Sequence, residues 1–394
     1  MKNYLKKSLF PMITAMLSLT LIVSSCESDP TPGANYDETY KAILQEYVDG
    51  VVVPTYRLMA EAALEMRTAN NALRSNPTSQ NIAAAAAAWR NARIYWEESE
   101  AFLFGPVGED ALDIDGHIDS WPLELDAIIA TLDEIDNMED DEELTGKEAW
   151  EWDAEVIGFH TTEYLLFREG QPRASLTDAE LKYLTAATDA LVWDCVLAYV
   201  AWAGEENVST EIKNVFNENT AIKNHLNSNS NYKDFGDKLK NATGKYAGRF
   251  TDAISEISDG AADIADEVGA TKIAAPYDEQ KVLEVESWYS WNSLKDYENN
   301  IVSIKNAYYG GRGLSTPKTN SLSAFVASKN AQLDTNVKAK IDDCINKIRA
   351  IGTGNKSFYE VVRDQINGTQ VAAAVDACAE LGELFKQINN NVIE

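Results

Sequence analysis

From Tyr36 to the end of the chain, apolar residues recur at spacings of three and four, and there is no sustained strand-type alternation bounded by Asn-Gly or Asp-Gly turns. That pattern predicts an all-α protein. The chain has 394 residues, 45% hydrophobic and 25% charged. This is a globular composition, too long for one simple helical bundle. The expectation is two helical-bundle-like domains, residues 37–173 and 174–394. The boundary falls in Arg168–Ser175, where Gly170 and Pro172 interrupt the helical spacing.

Prolines and glycines cut the pattern into helices. Pro54, after Val51-Val52-Val53, should kink or break a long helix running from Tyr36 to about Leu73. Thr78 is placed to cap a helix that runs through Ala83–Ala88 to about Phe104. Residues 105–121 read as a loop, and Pro122 suits the first turn of the next helix. A helix over about 148–167 follows an acidic stretch. In the second half, Thr177 is a plausible cap for a helix reaching Trp202, and long helices are expected over 232–268, 278–309, 319–351 and 356–390. Each half carries a helix with Trp and Glu that ends on an aromatic-Gly pair, Phe104-Gly105 and Tyr309-Gly310, which hints at internal duplication.

The first 25 residues have the order of a secretory signal, with Lys2, Lys6 and Lys7 before an apolar run from Leu9 to Val23. The run ends Val23-Ser24-Ser25-Cys26, which resembles the lipobox of bacterial lipoproteins. That predicts a signal peptide over 1–25, lipidation of Cys26, a polar tether through residue 36, and a cell envelope protein held at a membrane by a lipid anchor. Acidic residues outnumber basic ones 63 to 34. Nucleic acid is excluded as a partner, because it demands clustered Lys and Arg, whereas cations suit this balance. Cys195, Cys344 and Cys378 show no metal-type spacing and read as buried small side chains, with a Cys344–Cys378 bridge as an alternative.

Two stretches can carry chemistry. In the first, Trp89, Arg93, Trp96 and Glu100 share one helix face, so a charged pair lies in an aromatic stripe. If buried, those charges need partners. Arg93 can instead pair at the surface with Glu97 one turn on. In the second, Gly158-Phe159-His160-Thr161-Thr162-Glu163 places His160 and Glu163 three apart on one helical face. They can be metal ligands, an acid–base pair, or a histidine bonded within a helical core. Gly158 suggests the close approach of another helix or a ligand. His117 is a further candidate ligand. Standard zinc-peptidase spacings are absent, since the position that HxxEH would require is Tyr164.

The stretch GFHTTEYLLF resembles the GxHxxE motif of imelysin-like proteins and the aromatic–Leu-Leu–aromatic run that follows it. Pro54-Thr-Tyr56, Asn76-Pro77-Thr78, Trp89…Arg93…Ser99-Glu100-Ala101-Phe102…Gly105-Pro106, Ile118-Asp-Ser-Trp121-Pro122 and Glu286-Ser287-Trp-Tyr-Ser290 match that family's pattern in order. The resemblance implies two helical domains related by duplication, an envelope protein with an iron-uptake partner, and a site between the domains. There His160 and Glu163 would meet Arg93, Trp96, Ser99 and Glu100 from the first domain, and Ser287 and Ser290 from the second. It also brings a classification as metallopeptidases, which the residues themselves do not support. The expected function is binding of a metal ion (iron or zinc) or a metal-bearing small ligand, with His160, Glu163 and Glu100 as candidate ligands. A metal-dependent hydrolase at the same residues and a non-catalytic interaction module are the alternatives.

Overall fold

In the computed structural model, residues 36–108, 111–139 and 143–393 are described. The signal peptide, Cys26 and nearly all of the tether lie outside them. The fold is all-α. In chain order the helices are α1 Asp37–Tyr47, α2 Val53–Ser75, α3 Ser79–Glu97, α4 Ile114–Asp119, α5 Leu125–Asp136, α6 Gly146–Trp150, α7 Gly158–Leu166, α8 Asp178–Ala203, α9 Thr210–Glu218, α10 Thr220–Ser228, α11 Phe235–Lys240, α12 Phe250–Glu267, α13 Ala275–Asp278, α14 Ser293–Tyr309, α15 Leu322–Lys329, α16 Ala331–Ile351, α17 Phe358–Asp364 and α18 Gly368–Asn391. Among the described residues, extended pairing is confined to a two-residue antiparallel bridge, Phe167–Arg168 with Gln171–Pro172.

The caps read from sequence are in place. Thr78 accepts from the Asn81 N–H at the start of α3. Thr177 and Glu180 form a reciprocal capping box on α8. Neither Pro54 nor Pro276 breaks its helix. Each proline follows a widened π-helical turn, Val48–Val52 and Val268–Ala274, and the helical path continues. Proline removes one i→i−4 bond and its ring crowds the preceding turn; a π turn relieves both by changing partners.

Helix α8 is the pivot. It is long and apolar enough to cross a bilayer, yet 94% of its apolar window is buried inside the fold. A helix apolar on all sides needs neighbours all round, and α8 packs against α2, α4, α5, α6 and α7. The second half builds around α12, α14, α16 and α18, and α14 also packs on α3. Residues 37–394 pack as one unit. Cys344 on α16 and Cys378 on α18 are buried free thiols, and a hydrogen bond between them pushes the Cys344 pKa up.

Several predicted helices are shorter than expected or divided, among them 148–167 into α6 and α7, 319–351 into α15 and α16, and 356–390 into α17 and α18. Helix α3 ends at Glu97, and Glu100 sits on a separate 3-10 turn, Glu100–Phe102. The 232–268 stretch divides into α11 and α12. Past Asp278 the 278–309 stretch holds only a 3-10 turn, Val282–Glu284, before α14 begins at Ser293; the segment between, 285–292, is a looped crossing with Ser287 at φ +52° and Trp291 at φ +58°. The helix predicted from Pro122 begins at Leu125 instead, behind a cis Trp121–Pro122 peptide.

Candidate functional site

Arg93 is the centre of the site. It projects from the last turns of α3 and is fully buried. Its guanidinium meets Glu97 at 2.6 Å, Glu286 at 2.5 Å and Asp296 at 3.7 Å, and it is paired with Asp119. These acids come from α3, the end of α4, the 285–292 segment and α14. The Arg93–Glu97 pair anticipated at the surface is therefore an interior one. Burial opposes the charge on Arg93, but four carboxylates more than offset it and raise its pKa further.

His160, on α7, is 1% exposed. Its Nδ1 lies 3.2 Å from Glu163 Oε2 and its Nε2 lies 3.0 Å from Asp119 Oδ1. The Trp121 ring packs on the imidazole at 4.5 Å. Burial and the Arg93 charge disfavour the imidazolium, but Asp119 and Glu163 outweigh them and take the pKa up to about 9. The Arg93 guanidinium, with His160 beside it, holds Asp119 well below the usual carboxylate range against its burial. Burial pushes Asp296 up to about 7 and raises Glu97 and Glu100 well above ordinary carboxylates.

Glu163 is behind His160. Its Oε1 accepts from the Ser290 N–H and hydroxyl, both at 2.7 Å, and its Oε2 faces Nδ1. This fixes the ring and leaves Nε2 pointing at Asp119 and at Glu286 Oε1, 4.0 Å away. A carboxylate on one ring nitrogen commonly orients a histidine whose other nitrogen binds a ligand. One ligand atom from each of Asp119, His160 and Glu286 lies within 4.8 Å of the other two, as do ligand atoms of Glu97, Glu100 and Asp119. One imidazole and two carboxylates suit zinc, iron or manganese. Asp296 Oδ2 is enclosed with no hydrogen-bond partner, which also fits a cluster able to take up more positive charge.

The other expected residues fall as follows. Trp96 donates its indole N–H to Asp119 at 2.6 Å and so holds that carboxylate in place. Glu100 lines the mouth and reaches Lys272 at 3.7 Å rather than His160. Ser99 bonds back to the Trp96 carbonyl and does not reach the cluster. Ser287 is buried and faces Asp296, lowering its pKa against burial. Ser287 and Ser290 sit on the looped crossing, not on a helix. His117 pairs with Asp194 of α8 at 3.4 Å, away from His160 Nε2.

Gly158 is the first residue of α7, not an interior one, with φ +81°. A Cβ there would lie 2.5 Å from the Ile118 carbonyl and 2.7 Å from that of His117. The glycine thus lets α7 start directly against α4, one residue from Asp119. Gly158→Ala is expected to lose about 2 kcal/mol or more, from the left-handed backbone and the two clashes together. Urea unfolding checks this, and an unchanged midpoint would contradict the packing.

Asp119, Glu286, Asp296 and Lys272 were not singled out from sequence, although Asp119 and Glu286 fall within the ordered motifs quoted above. Lys272 had a faint signal, as a lone cation in the apolar stretch 268–275. The cluster opens to solvent through a cleft of ≈ 640 Å³ whose wall includes Glu100, Asp119, Trp121, Glu267, Lys272 and Glu286.

A family model described as Imelysin (Peptidase_M75) matches residues 52–388. Iron-regulated protein A of Synechococcus elongatus is 29% identical over 270 residues, 68% of this chain, and the match spans 64% of that protein's own length. A crystal structure of a protein named as an iron-regulated protein A precursor, from Parabacteroides distasonis, superposes with a TM-score of 0.74 at 29% identity, covering 92% of this chain and 97% of that one. An imelysin-like protein from Psychrobacter arcticus shares the fold, with a TM-score of 0.62 at 13% identity over 90% of this chain and 95% of that one.

Proposed function

This chain belongs to the imelysin family, and from that premise we propose that it captures a metal cation in an iron-related role at the cell envelope, anchored to a membrane through Cys26. The observation that carries the reading is the charge balance of the cluster. Six enclosed carboxylates, Glu97, Glu100, Asp119, Glu163, Glu286 and Asp296, face two permanent cations, Arg93 and Lys272, and one imidazole. In the metal-free protein protons offset that negative charge, since burial raises Glu97, Glu100 and Asp296 and the neighbouring acids keep His160 charged. A divalent ion among Asp119, His160 Nε2 and Glu286 replaces those protons. It also uses the one histidine nitrogen that Glu163 leaves facing the acids. The name of the Synechococcus elongatus relative, an iron-regulated protein, supports an iron-related role.

The test is metal content and calorimetric affinity of residues 27–394, purified without chelator or histidine tag, with Fe, Zn, Mn and Cu each offered. The expected result is one equivalent of metal, lost in His160→Ala with the protein still folded. Affinity should fall about 100-fold or more when an imidazole ligand is removed. No binding above background for any of the four would end the reading.

A further inference from the structure

Lys272 stands apart from the other charged groups of the site. It projects from the π-helical turn Val268–Ala274 into the cleft wall, and its side chain is 10% exposed. Its ammonium lies 3.2 Å from Glu286 Oε2 and 3.4 Å from Oε1. Glu100 and Glu267 are each 3.7 Å away. Glu286 is also one of the three residues facing the proposed cation position. So Lys272 neutralises a prospective ligand from the solvent side, whereas Arg93 holds it from the interior.

The two cations differ in how far they can yield. Arg93 is wholly enclosed and held by carboxylates from four segments. Lys272 has a flexible four-carbon stem, contacts mostly beyond 3 Å, and a route outward, because the Glu267 side chain is 48% exposed. Moving from Glu286 toward Glu267 keeps the ammonium paired while it uncovers Glu286. The π turn helps, since such turns exchange regular helical bonds for a local bulge and are often found at functional sites.

Resting on the metal-binding reading above, we propose that Lys272 is a tethered competitor: its ammonium occupies the outer carboxylates of the cleft until an incoming metal cation displaces it toward Glu267. The resident charge keeps the empty cleft neutral enough to stay folded. It also sets a threshold, so that weakly held monovalent ions do not fill the site.

The test is calorimetric titration of Zn²⁺ and Mn²⁺ into residues 27–394 of the wild type, Lys272→Gln and Lys272→Arg. Removing a unit charge a few ångströms from the ligands should make Lys272→Gln bind at least about tenfold more tightly. Lys272→Arg, whose planar fork grips carboxylates with two bonds, should bind more weakly than wild type. Equal or weaker binding by Lys272→Gln overturns the proposal while leaving the metal site standing. If Lys272→Gln does not fold, Lys272→Arg decides alone, and binding as tight as wild type overturns it. The absence of binding in all three proteins removes the metal reading itself and the competitor with it.

Discussion

Arg93→Met is expected to be the most damaging single change in the protein, with a loss of about 3–5 kcal/mol at neutral pH or a failure to accumulate folded chain. Removing one partner from a buried ion cluster leaves the others charged and unsolvated. Here the stranded partners are Glu97, Asp119, Glu286 and Asp296, drawn together from four segments by a single guanidinium. Arg93→Lys should fall between the two, because a compact ammonium cannot reach four carboxylates at once. The loss should shrink near pH 5, where Asp296, raised by burial to about 7, takes up its proton. Urea unfolding at pH 5 and pH 7 measures both effects. A variant as stable as wild type at pH 7 would show that the guanidinium does not hold the cluster together.

The second large effect is on stability against pH. His160 binds its proton more tightly in the folded state, with a pKa near 9 against an ordinary 6.5. Its contribution is therefore complete below pH 6.5 and is lost as pH rises through 9. Asp296, at about 7 against 3.8, has the same sign, with its share lost as pH rises from about 4 through 7. Asp119 acts oppositely, since its depressed pKa gives stability that is present above 3.8 and lost on acidification. Metal-free protein should thus be most stable in mildly acidic buffer. The His160 share amounts to about 3 kcal/mol, or a fall of roughly 5 °C in Tm between pH 6.5 and 9. His160→Asn should flatten that slope. Saturating metal should reverse it, because the ion replaces the proton on Nε2 and binds better as pH rises. A wild-type Tm that is flat from pH 6.5 to 9 would rule out a charged His160 in the metal-free protein.

Much of the fold could be read from the chain because helices announce themselves locally. The apolar spacing of α8 and the Thr78 and Thr177 caps act within a few residues of where they are read. The errors came where distant contacts overrode local spacing. Ser287, Trp288, Ser290 and Trp291 have helical spacing, yet they lie on a crossing with two left-handed residues. Tertiary bonds hold it, including Gly170 N–H to the Tyr289 carbonyl at 2.9 Å and the Trp121 indole to the Glu284 carbonyl at 3.1 Å. Neither Ser nor Trp signals φ > 0, so no residue type gave it away. The site divides in the same way. Arg93 and His160 were visible as polar groups in apolar company. Asp119 and Glu286 look like ordinary acids until α4 and the 285–292 crossing bring them to the same imidazole.

Helix α8 also bears on how such a chain would reach an envelope location. Export threads a protein through its channel as an extended strand, and the channel tests each apolar segment for release sideways into lipid. An 18-residue stretch of α8 is apolar enough to pass as a membrane anchor. Asp189 and Asp194 lie within the helix, and each acid near the middle of a segment penalises entry into lipid by about 2.5–3.5 kcal/mol. In the finished protein Asp194 accepts the Trp150 indole N–H at 2.7 Å, and Asp189 lies 3.8 Å from Arg67. The same two carboxylates would therefore serve twice: first as a refusal to stay in the membrane, and later as anchoring points for the helices that close around α8.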